Sequence, residues 1–436
     1  MIDTEKLTLT APPEDPDGIA DNILRISLDI GEGLLRSGAE IRRVEDAIER
    51  ICKAYGASHV EVFSIHSLII ASVRLPDGSY SSQNRRVLNV SNHLLCLERY
   101  NSLLRKLCAR PLPFEQVDEE IREIKKKSKY PLSLTVLGNM LAASGFAVLF
   151  GGSLRDAGAA ALIGLIVTFL AQIKTQYFND TTKTLFLSFV SGMLTCLSVM
   201  VGVGENMDMI AIGTIMLLVP GLWLGNATRD LLYGDTLAGT VKTVHACITA
   251  IMIAIGYAFS FFLVGKYCPV YTGGAPFGEF SLLTGTISAL VGTLGFAFMF
   301  KLSPSKLWIT GICGIATYII YELCLRFGTN ELIAAFIACA TLSIFSEICA
   351  RIFRTPTNVF LFTGCIPIVP GGALYYTMYH LLSLNIPKAL EYLKVTGQIL
   401  LGVALGLSLA SVCFGLTLEF IDWLKKKKTD IGQEGN

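Results

Sequence analysis

The sequence predicts a mainly α-helical, polytopic membrane protein in which a small α+β cytoplasmic head is followed by two inverted five-span repeats. Three observations support this fold class. Hydrophobic residues make up 52% of the 436-residue chain and charged residues only 16%, whereas a soluble chain of this length carries about 25% charge. Apolar runs of span length begin only after residue 130. Two Pro-Gly interruptions, at 220–221 and 370–371, recur at one fixed spacing.

The head is expected to occupy residues 19–130, after an acidic, proline-rich and disordered tail at 1–18. Apolar residues in its first part recur at helical spacing. The next part is β-rich, with "PDGS" at 76–79 as a turn signal between strands. Helical spacing then returns, and the predicted helices cover 19–35, 39–55, 85–109 and 114–127. These elements predict a domain of ordinary size.

Ten apolar runs of about 17–25 residues follow the head, and each is long enough to cross a hydrocarbon core of roughly 30 Å. The fourth and the ninth runs each contain a Pro-Gly. We assign five runs to a repeat at 131–266, five to a repeat at 280–424, and residues 425–436 to a basic cytoplasmic tail. The runs lie near 132–150, 157–173, 184–203, 208–224, 240–264, 281–300, 307–324, 331–350, 358–371 and 395–418.

Lysines at both ends of this apolar body indicate its orientation. Four lysines lie between residues 125 and 129, and four more at 425–428. Lys and Arg accumulate on the cytoplasmic side of membrane helices. Both termini are therefore predicted in the cytoplasm, which requires an even number of spans. The predicted location is the cell (inner) membrane, as a multi-pass protein.

The second Pro-Gly follows the first by 150 residues (370 − 220). At the same offset, "GFAVLF" at 145–150 falls on "GFAFMF" at 295–300. Two matches at one offset predict an internal repeat. Each repeat holds five spans, an odd number, so the second must enter the membrane in the opposite orientation. Inverted repeats with interrupted helices are typical of secondary transporters, whose sites lie near the membrane midplane.

The two Pro-Gly breaks are expected to line the transport site. Proline has no N–H, so each break leaves the carbonyl four residues earlier without its helical donor. Such carbonyls are tolerated at membrane depth only where protein or water reaches them, and the new helix N-terminus beyond each break suits a carboxylate. The alternative is a packing kink, which an isolated proline would favour. The residues concerned are Pro220, Gly221, Pro370, Gly371 and Gly372.

Several side chains after the first break are candidates for substrate binding or proton coupling. Asp230 can take and release a proton; the alternative is a surface acid paired with Arg229 or Lys242. Arg229 can clamp a substrate carboxylate, or it is an ordinary positive-inside residue. His245 can relay protons, or it is an interfacial histidine, and Asn226 can bond substrate or cap a helix.

"VPGLWLGNATRDLLYGDTLAGTVK" at 219–242, "PIVPGG" at 367–372 and "GEGLLRSGAEIRRVEDAIERICKAYG" at 31–56 resemble the threonine/serine exporter family in its signature, its second break and its opening helices. The resemblance implies a cytoplasmic domain joined to ten spans and export of threonine and serine. It also places Asp235 in the signature, whereas Lys242 stands roughly where an arginine is expected. Split relatives in this family imply small dicarboxylates such as succinate.

We therefore predict a secondary active exporter of small carboxylate-bearing metabolites, threonine and serine foremost, coupled to protons and working by alternating access. No enzyme activity, metal, other cofactor or nucleic acid is expected. The expected partners are a small-molecule substrate, the lipid bilayer and, as an open alternative, further copies of the chain. The competing interpretations are a hydrolase-like enzyme in the head, a dicarboxylate exporter, and a channel or sensor. The enzyme interpretation is suggested by three histidines of the head, His59, His66 and His93. No nucleophile-elbow spacing occurs around them.

Overall fold

The computed structural model describes residues 18–88, 90–173, 179–219, 236–264 and 281–434, together with Ala227, Asp230, Leu231 and Gly234. The predicted tail, apart from Gly18, lies outside this part. The chain forms two compact units, Met1–Lys129 and Tyr130–Asn436, and its described part is mainly α-helical, as predicted. The predicted site residues outside the described part are Pro220, Gly221, Asn226, Arg229 and Asp235.

The head unit combines four helices with a small antiparallel sheet. Its elements are α1 (Ile19–Arg36), α2 (Ile41–Ala54), β1 (His59–Ile65), β2 (Leu68–Arg74), β3 (Tyr80–Arg86), α3 (Leu94–Ala109) and α4 (Phe114–Lys127). The strands pair in the order β1-β2-β3. The "PDGS" segment forms the turn between β2 and β3, where Asp77 accepts a hydrogen bond from the Ser79 N–H at 2.9 Å.

The core of the head lies between the sheet and α1. Ile69, Ala71 and Val73 alternate along the buried face of β2, as one face of a half-buried strand requires. The third helix begins at Leu94 and not at residue 85, because β3 keeps pairing with β2 as far as Arg86. His93 then caps α3, and its Nδ1 accepts a hydrogen bond from the Cys96 N–H at 3.3 Å.

The second unit is built from apolar helices. They are α5 (Leu132–Leu149), α6 (Leu154–Ala171), α7 (Asp180–Met200), α8 (Met207–Ile215), α9 (Thr236–Val264), α10 (Leu282–Met299), α11 (Leu307–Arg326), α12 (Glu331–Ile352), α13 (Asn358–Gly364), α14 (Gly371–Leu382) and α15 (Ile386–Glu434). Within the described ranges, eight helices are long and apolar enough to cross a membrane, or nine if a bent pair counts as one span.

The helices that lead into the two breaks are short. α8 has nine residues and α13 has seven, so they extend only about 14 Å and 10 Å, at most half of a hydrocarbon core of roughly 30 Å. The bent pair is 358–368 with 371–381, and its two parts meet at 49°. Helix α8 therefore cannot cross on its own, and the ten-span count stays a prediction.

Element positions recur at the predicted offset. α5 and α10 both have 18 residues and begin 150 positions apart, as do the starts of α9 and α15. Packing recurs as well, because α7 lies against α9 and α12 against α15. Equivalent glycines permit both contacts: a Cβ on Gly256 would lie 2.6 Å from the Ser188 Cβ, and one on Gly406 would lie 2.6 Å from the Phe336 carbonyl oxygen. This recurrence agrees with a repeat, and its inversion stays a prediction.

The inversion predicts opposite exposure of two equivalent loops. Leu154, the first residue of α6 after the loop that follows α5, should face the outside, and Ser305, in the turn after α10, should face the cytoplasm; both side chains are exposed. In intact cells a membrane-impermeant maleimide should label a Leu154→Cys protein and leave a Ser305→Cys protein unlabelled until the cells are opened. The wild-type protein supplies the background from the native cysteines. Labelling of both variants in sealed cells would exclude the inverted arrangement.

The first helices of the two halves pack directly on each other. α5 contacts α10 at a place where a Cβ on Gly295 would lie 2.3 Å from the Ala142 backbone nitrogen. Between membrane helices, where water supplies no driving force, small residues permit this close approach. Gly145 is equally constrained, since its Cβ would lie 2.5 Å from the Gly292 nitrogen.

Gly295→Val should therefore destabilise the membrane unit. Overpacking typically costs about 1–3 kcal/mol, and here backbone would have to move. The matched control is Gly158→Val in α6, where a Cβ meets nothing within 4 Å. We expect a lower unfolding midpoint in detergent for the first variant and little change for the second. Equal midpoints would contradict the contact.

Candidate functional site

The second break is a turn between α13 and α14. Residues 366–368 form one 3-10 turn, and α14 starts at Gly371, directly after Pro370. Pro370 has no N–H to donate to the Ile366 carbonyl. That carbonyl instead accepts a hydrogen bond from the Val369 N–H at 3.1 Å. The expected unpaired carbonyl is therefore satisfied locally, because the tighter turn supplies a donor from one residue earlier.

A cavity of about 180 Å³ lies beside this break. Its walls come from the break itself, the ends of α5 and α11, the start of α12, and α14 and α15. Most of the lining is apolar. The lining includes Phe150, Tyr318, Tyr321, Glu322, Glu331, Pro370, Ala373 and Ile399.

Two carboxylates lie in the wall of this cavity. Glu331, in the first turn of α12, accepts a hydrogen bond from the Tyr321 hydroxyl. Glu322 forms an ion pair with Arg326, with 2.9 Å between its Oε1 and the Arg326 Nε. Acids among membrane helices are expensive and mark substrate or ion pathways by default. The cavity therefore has carboxylate acceptors for a cationic group.

The predicted residues of the second break differ in their surroundings. Pro370 lines the cavity. A Cβ on Gly371 would lie 2.0 Å from the Met216 Sδ, and one on Gly372 would lie 2.8 Å from the Phe150 ring. Met216 directly follows α8, so the second break packs against the chain that leads into the first. The glycines permit this approach, because a side chain would collide there.

Asp230 is buried and paired. Its Oδ2 lies 2.6 Å from the Lys242 Nζ, and the two side chains are only 5% and 9% exposed. The sequence offered Lys242 as a partner, but for a surface acid. Instead, the pair is enclosed by protein, where the loss of one partner is expensive.

The equivalent positions of the second half are also in contact. His380 and Tyr392 follow Asp230 and Lys242 by 150 residues, and their rings stack at 5.5 Å between centroids. Tyr376 stacks on Tyr392 at 5.1 Å. One pair of positions thus holds an ion pair in the first half and an aromatic stack in the second.

His245 lies on the exposed surface of α9. Lys242, one turn earlier, is buried. The Asp230 pair and the His245 ring therefore have different surroundings, and a proton relay through His245 stays a prediction. Within the described ranges there is no cluster of three or more His, Cys, Asp or Glu side chains that could hold a metal.

A second buried acid was missed in the sequence. Asp208, in the first turn of α8, is 7% exposed, and its Oδ1 accepts a hydrogen bond from the Tyr375 hydroxyl at 2.9 Å. The signal was one acid within "MDMIAIGTIMLL". Tyr375, 167 residues later, is joined to it only by the fold. Glu331 was missed for a similar reason, since its cavity exists only after packing.

Comparisons with known proteins point to one family. The family model described as "Putative threonine/serine exporter" matches residues 25–264, and the model described as "Threonine/Serine exporter, ThrE" matches residues 285–413. Together these matches cover the head and most of the membrane unit. No solved structure matches the chain.

Curated relatives are distant. A protein of Corynebacterium glutamicum named "Threonine/serine exporter" is 22% identical over 409 residues, which are 88% of this chain and 82% of the relative. A protein of Klebsiella aerogenes named "Probable succinate transporter subunit YjjP" is 21% identical over 249 residues, 56% of this chain and 94% of the relative. An Escherichia coli protein of the same name is 22% identical over 262 residues, 56% of this chain and 95% of the relative.

Proposed function

Because the chain belongs to the threonine/serine exporter family, we propose that it is a secondary active exporter of small carboxylate-bearing metabolites, threonine and serine foremost. We further propose that protons drive it and that it works by alternating access. The cavity beside the second break is the observation that carries this proposal. Its lining contains both acidic side chains and residues at the start of helix α14, within a bundle of apolar helices.

Both ends of an amino acid find a partner in this cavity. Glu331 can accept hydrogen bonds from an ammonium group, since a carboxylate accepts several at once. The first N–H groups of a helix have no intrahelical acceptor, and those of α14 at Gly372 and Ala373 can donate to a carboxylate. Ala373 lines the cavity. An ammonium and a carboxylate on one carbon fit this arrangement better than two carboxylates do.

Asp230 is proposed to carry the coupling proton. Protonation removes the charge that attracts Lys242, and a buried pair without one of its charges is strongly destabilised. Proton uptake would therefore open the pair and release α9. The other predicted residues near the first break are proposed to serve the same site, with Arg229 as a carboxylate clamp and His245 as a relay. Asn226 and Asp235 complete this set.

Alternating access would use the two equivalent contacts as gates. With the predicted orientation, the Asp230–Lys242 pair lies toward the cytoplasm and the stack of Tyr376, His380 and Tyr392 toward the outside. Gly371 against Met216 connects the second break to the chain before the first. A movement of one half would then displace the break of the other half through this contact.

Counterflow in proteoliposomes tests the substrate. Vesicles loaded with unlabelled L-threonine, at equal pH on both sides, should take up labelled L-threonine and L-serine transiently above equilibrium. Empty vesicles and vesicles without protein are the controls. If neither L-threonine nor L-serine showed counterflow, the result would contradict the proposal.

A dicarboxylate is the second candidate, because two relatives are named as succinate transporter subunits. Labelled succinate in the same assay separates the two. Succinate counterflow without threonine counterflow would select the dicarboxylate, and it would exclude Glu331 as an ammonium site.

A further inference from the structure

The head has a cavity of its own, of about 340 Å³. It lies where α1 and α4 end and α3 begins, and its lining includes Glu32, Arg36, His93, Cys96, Lys125 and Lys129. This volume falls within the usual range of small-molecule sites. Part of its wall is the "GEGLLRS" segment at 31–37. The transport mechanism uses none of these residues.

Charges of opposite sign face this cavity from different helices. Glu32 lies on α1, and its Oε1 pairs with Arg36 at 3.3 Å; its Oε2 accepts no hydrogen bond from the residues that the structure describes. Lys125 lies at the end of α4 and Lys129 just beyond it. Neither lysine forms an ion pair within the described ranges. Asp29 also lines the cavity, but Arg25 and Arg85 already engage it.

Further polar groups complete the lining. The His93 Nδ1 accepts the hydrogen bond from the Cys96 N–H, so in the neutral ring Nε2 carries the hydrogen. The lining also includes Tyr100, and burial raises the pKa of its hydroxyl to about 12. That hydroxyl is therefore neutral at physiological pH.

We propose that the head cavity binds a free α-amino acid in its zwitterionic form. Glu32 accepts hydrogen bonds from the ammonium group, and Lys125 and Lys129 neutralise the carboxylate. A dicarboxylate would place one anionic end against Glu32, and a diamine would place one cationic end against the lysines. This inference does not rest on the proposed function, since its ligand class follows from the charges of the head alone.

Alkylation of Cys96 in the full-length protein in detergent reads out this site. Cys96 lines the cavity and Cys108 is exposed elsewhere on the head, so mass spectrometry of the two peptides gives a site and a reference. Glycine, L-serine or L-threonine at ten times its Kd should slow alkylation of Cys96 about tenfold, in proportion to occupancy. Alkylation of Cys108 should not change.

Ligand variants test the two charges. N-acetyl-L-threonine lacks the ammonium group and L-threoninamide lacks the carboxylate. Loss of one charged hydrogen bond, worth about 1.5–3 kcal/mol, should raise the Kd measured from Cys96 alkylation at least tenfold for each compound. Equal protection by either compound, or by succinate or inorganic phosphate, would overturn the amino-acid assignment. So would the absence of protection by all three amino acids.

Protein variants test the residues. Protection should be lost in Glu32→Gln and in the double variant Lys125→Gln/Lys129→Gln, and it should persist in Lys126→Gln, which is exposed on α4 and does not line the cavity. Cys52 reports folding, because burial raises its pKa to about 11 and keeps it unreactive in a folded head. Unchanged protection in the variants with Cys52 still unreactive would overturn the proposal.

Discussion

A protein in which Asp230→Asn is combined with Lys242→Gln should still exchange threonine for threonine but should no longer accumulate it from a pH gradient. Exchange needs no net protonation cycle, whereas accumulation does. Asparagine keeps the size of Asp230, and glutamine, one bond shorter than lysine, keeps a hydrogen-bond donor at position 242; both remove the charges of the pair at 2.6 Å. Counterflow and pH-driven uptake, measured in parallel, separate the two modes.

The single variant Asp230→Asn is expected to fold poorly. Removing one partner of a buried ion pair typically costs about 3–5 kcal/mol, because the other charge stays buried. The double variant avoids this loss. The matched control is Arg155→Gln/Glu205→Gln, which removes a membrane-unit pair with side chains 70% and 50% exposed and should change neither mode of transport. Intact pH-driven uptake in the Asp230 double variant would exclude the proton role, and a parallel decline of both modes would reduce Asp230 to a structural partner.

Replacing Glu331 by glutamine should raise the KM for threonine in counterflow about tenfold or more. The variant keeps the shape of the side chain but loses its charge, and a hydrogen bond to a charged group is worth about 1.5–3 kcal/mol. Tyr321→Phe, which removes the hydroxyl that bonds Glu331, should have a smaller effect because the carboxylate remains. Initial rates over a range of threonine concentrations give both values.

Glu347→Gln is the matched control for this experiment. Glu347 lies near the other end of α12 and pairs with Arg351 at 2.7 Å, outside the cavity. We expect an unchanged KM there. A wild-type KM in Glu331→Gln, with transport otherwise normal, would show that the cavity beside the second break does not bind the ammonium group.

Local sequence pattern was enough for the fold class. The apolar runs predicted a mainly α-helical membrane protein, and their positions agree with helices such as α5 and α10. The pattern failed where strand pairing determines the secondary structure. It started α3 at residue 85, inside β3, because helical spacing does not reveal that Arg86 pairs with Leu68 of β2. For the fourth run, at 208–224, the described helix α8 covers only Met207–Ile215, so the predicted span stays a prediction.

The site was predictable only where chemistry and local sequence coincide. Arg229 or Lys242 was expected as the partner of Asp230 if Asp230 were a surface acid, and the structure pairs it with Lys242. Asp208 could not be recognised from the sequence because its partner Tyr375 lies far along the chain. Glu331 could not be recognised because the cavity that it lines forms only when the helices pack. The burial of Asp230 was likewise invisible in the sequence, since positive-inside patterns make such a residue read as a surface acid.

The central claim, proton-driven secondary transport, is tested most directly by threonine uptake into proteoliposomes with an acidic lumen. Protons leaving the vesicles should drive labelled L-threonine inward to a level above the external concentration, and a protonophore added at the peak should release the excess. The wild-type protein at equal pH on both sides is the reference. An identical final level with and without the gradient would contradict the account.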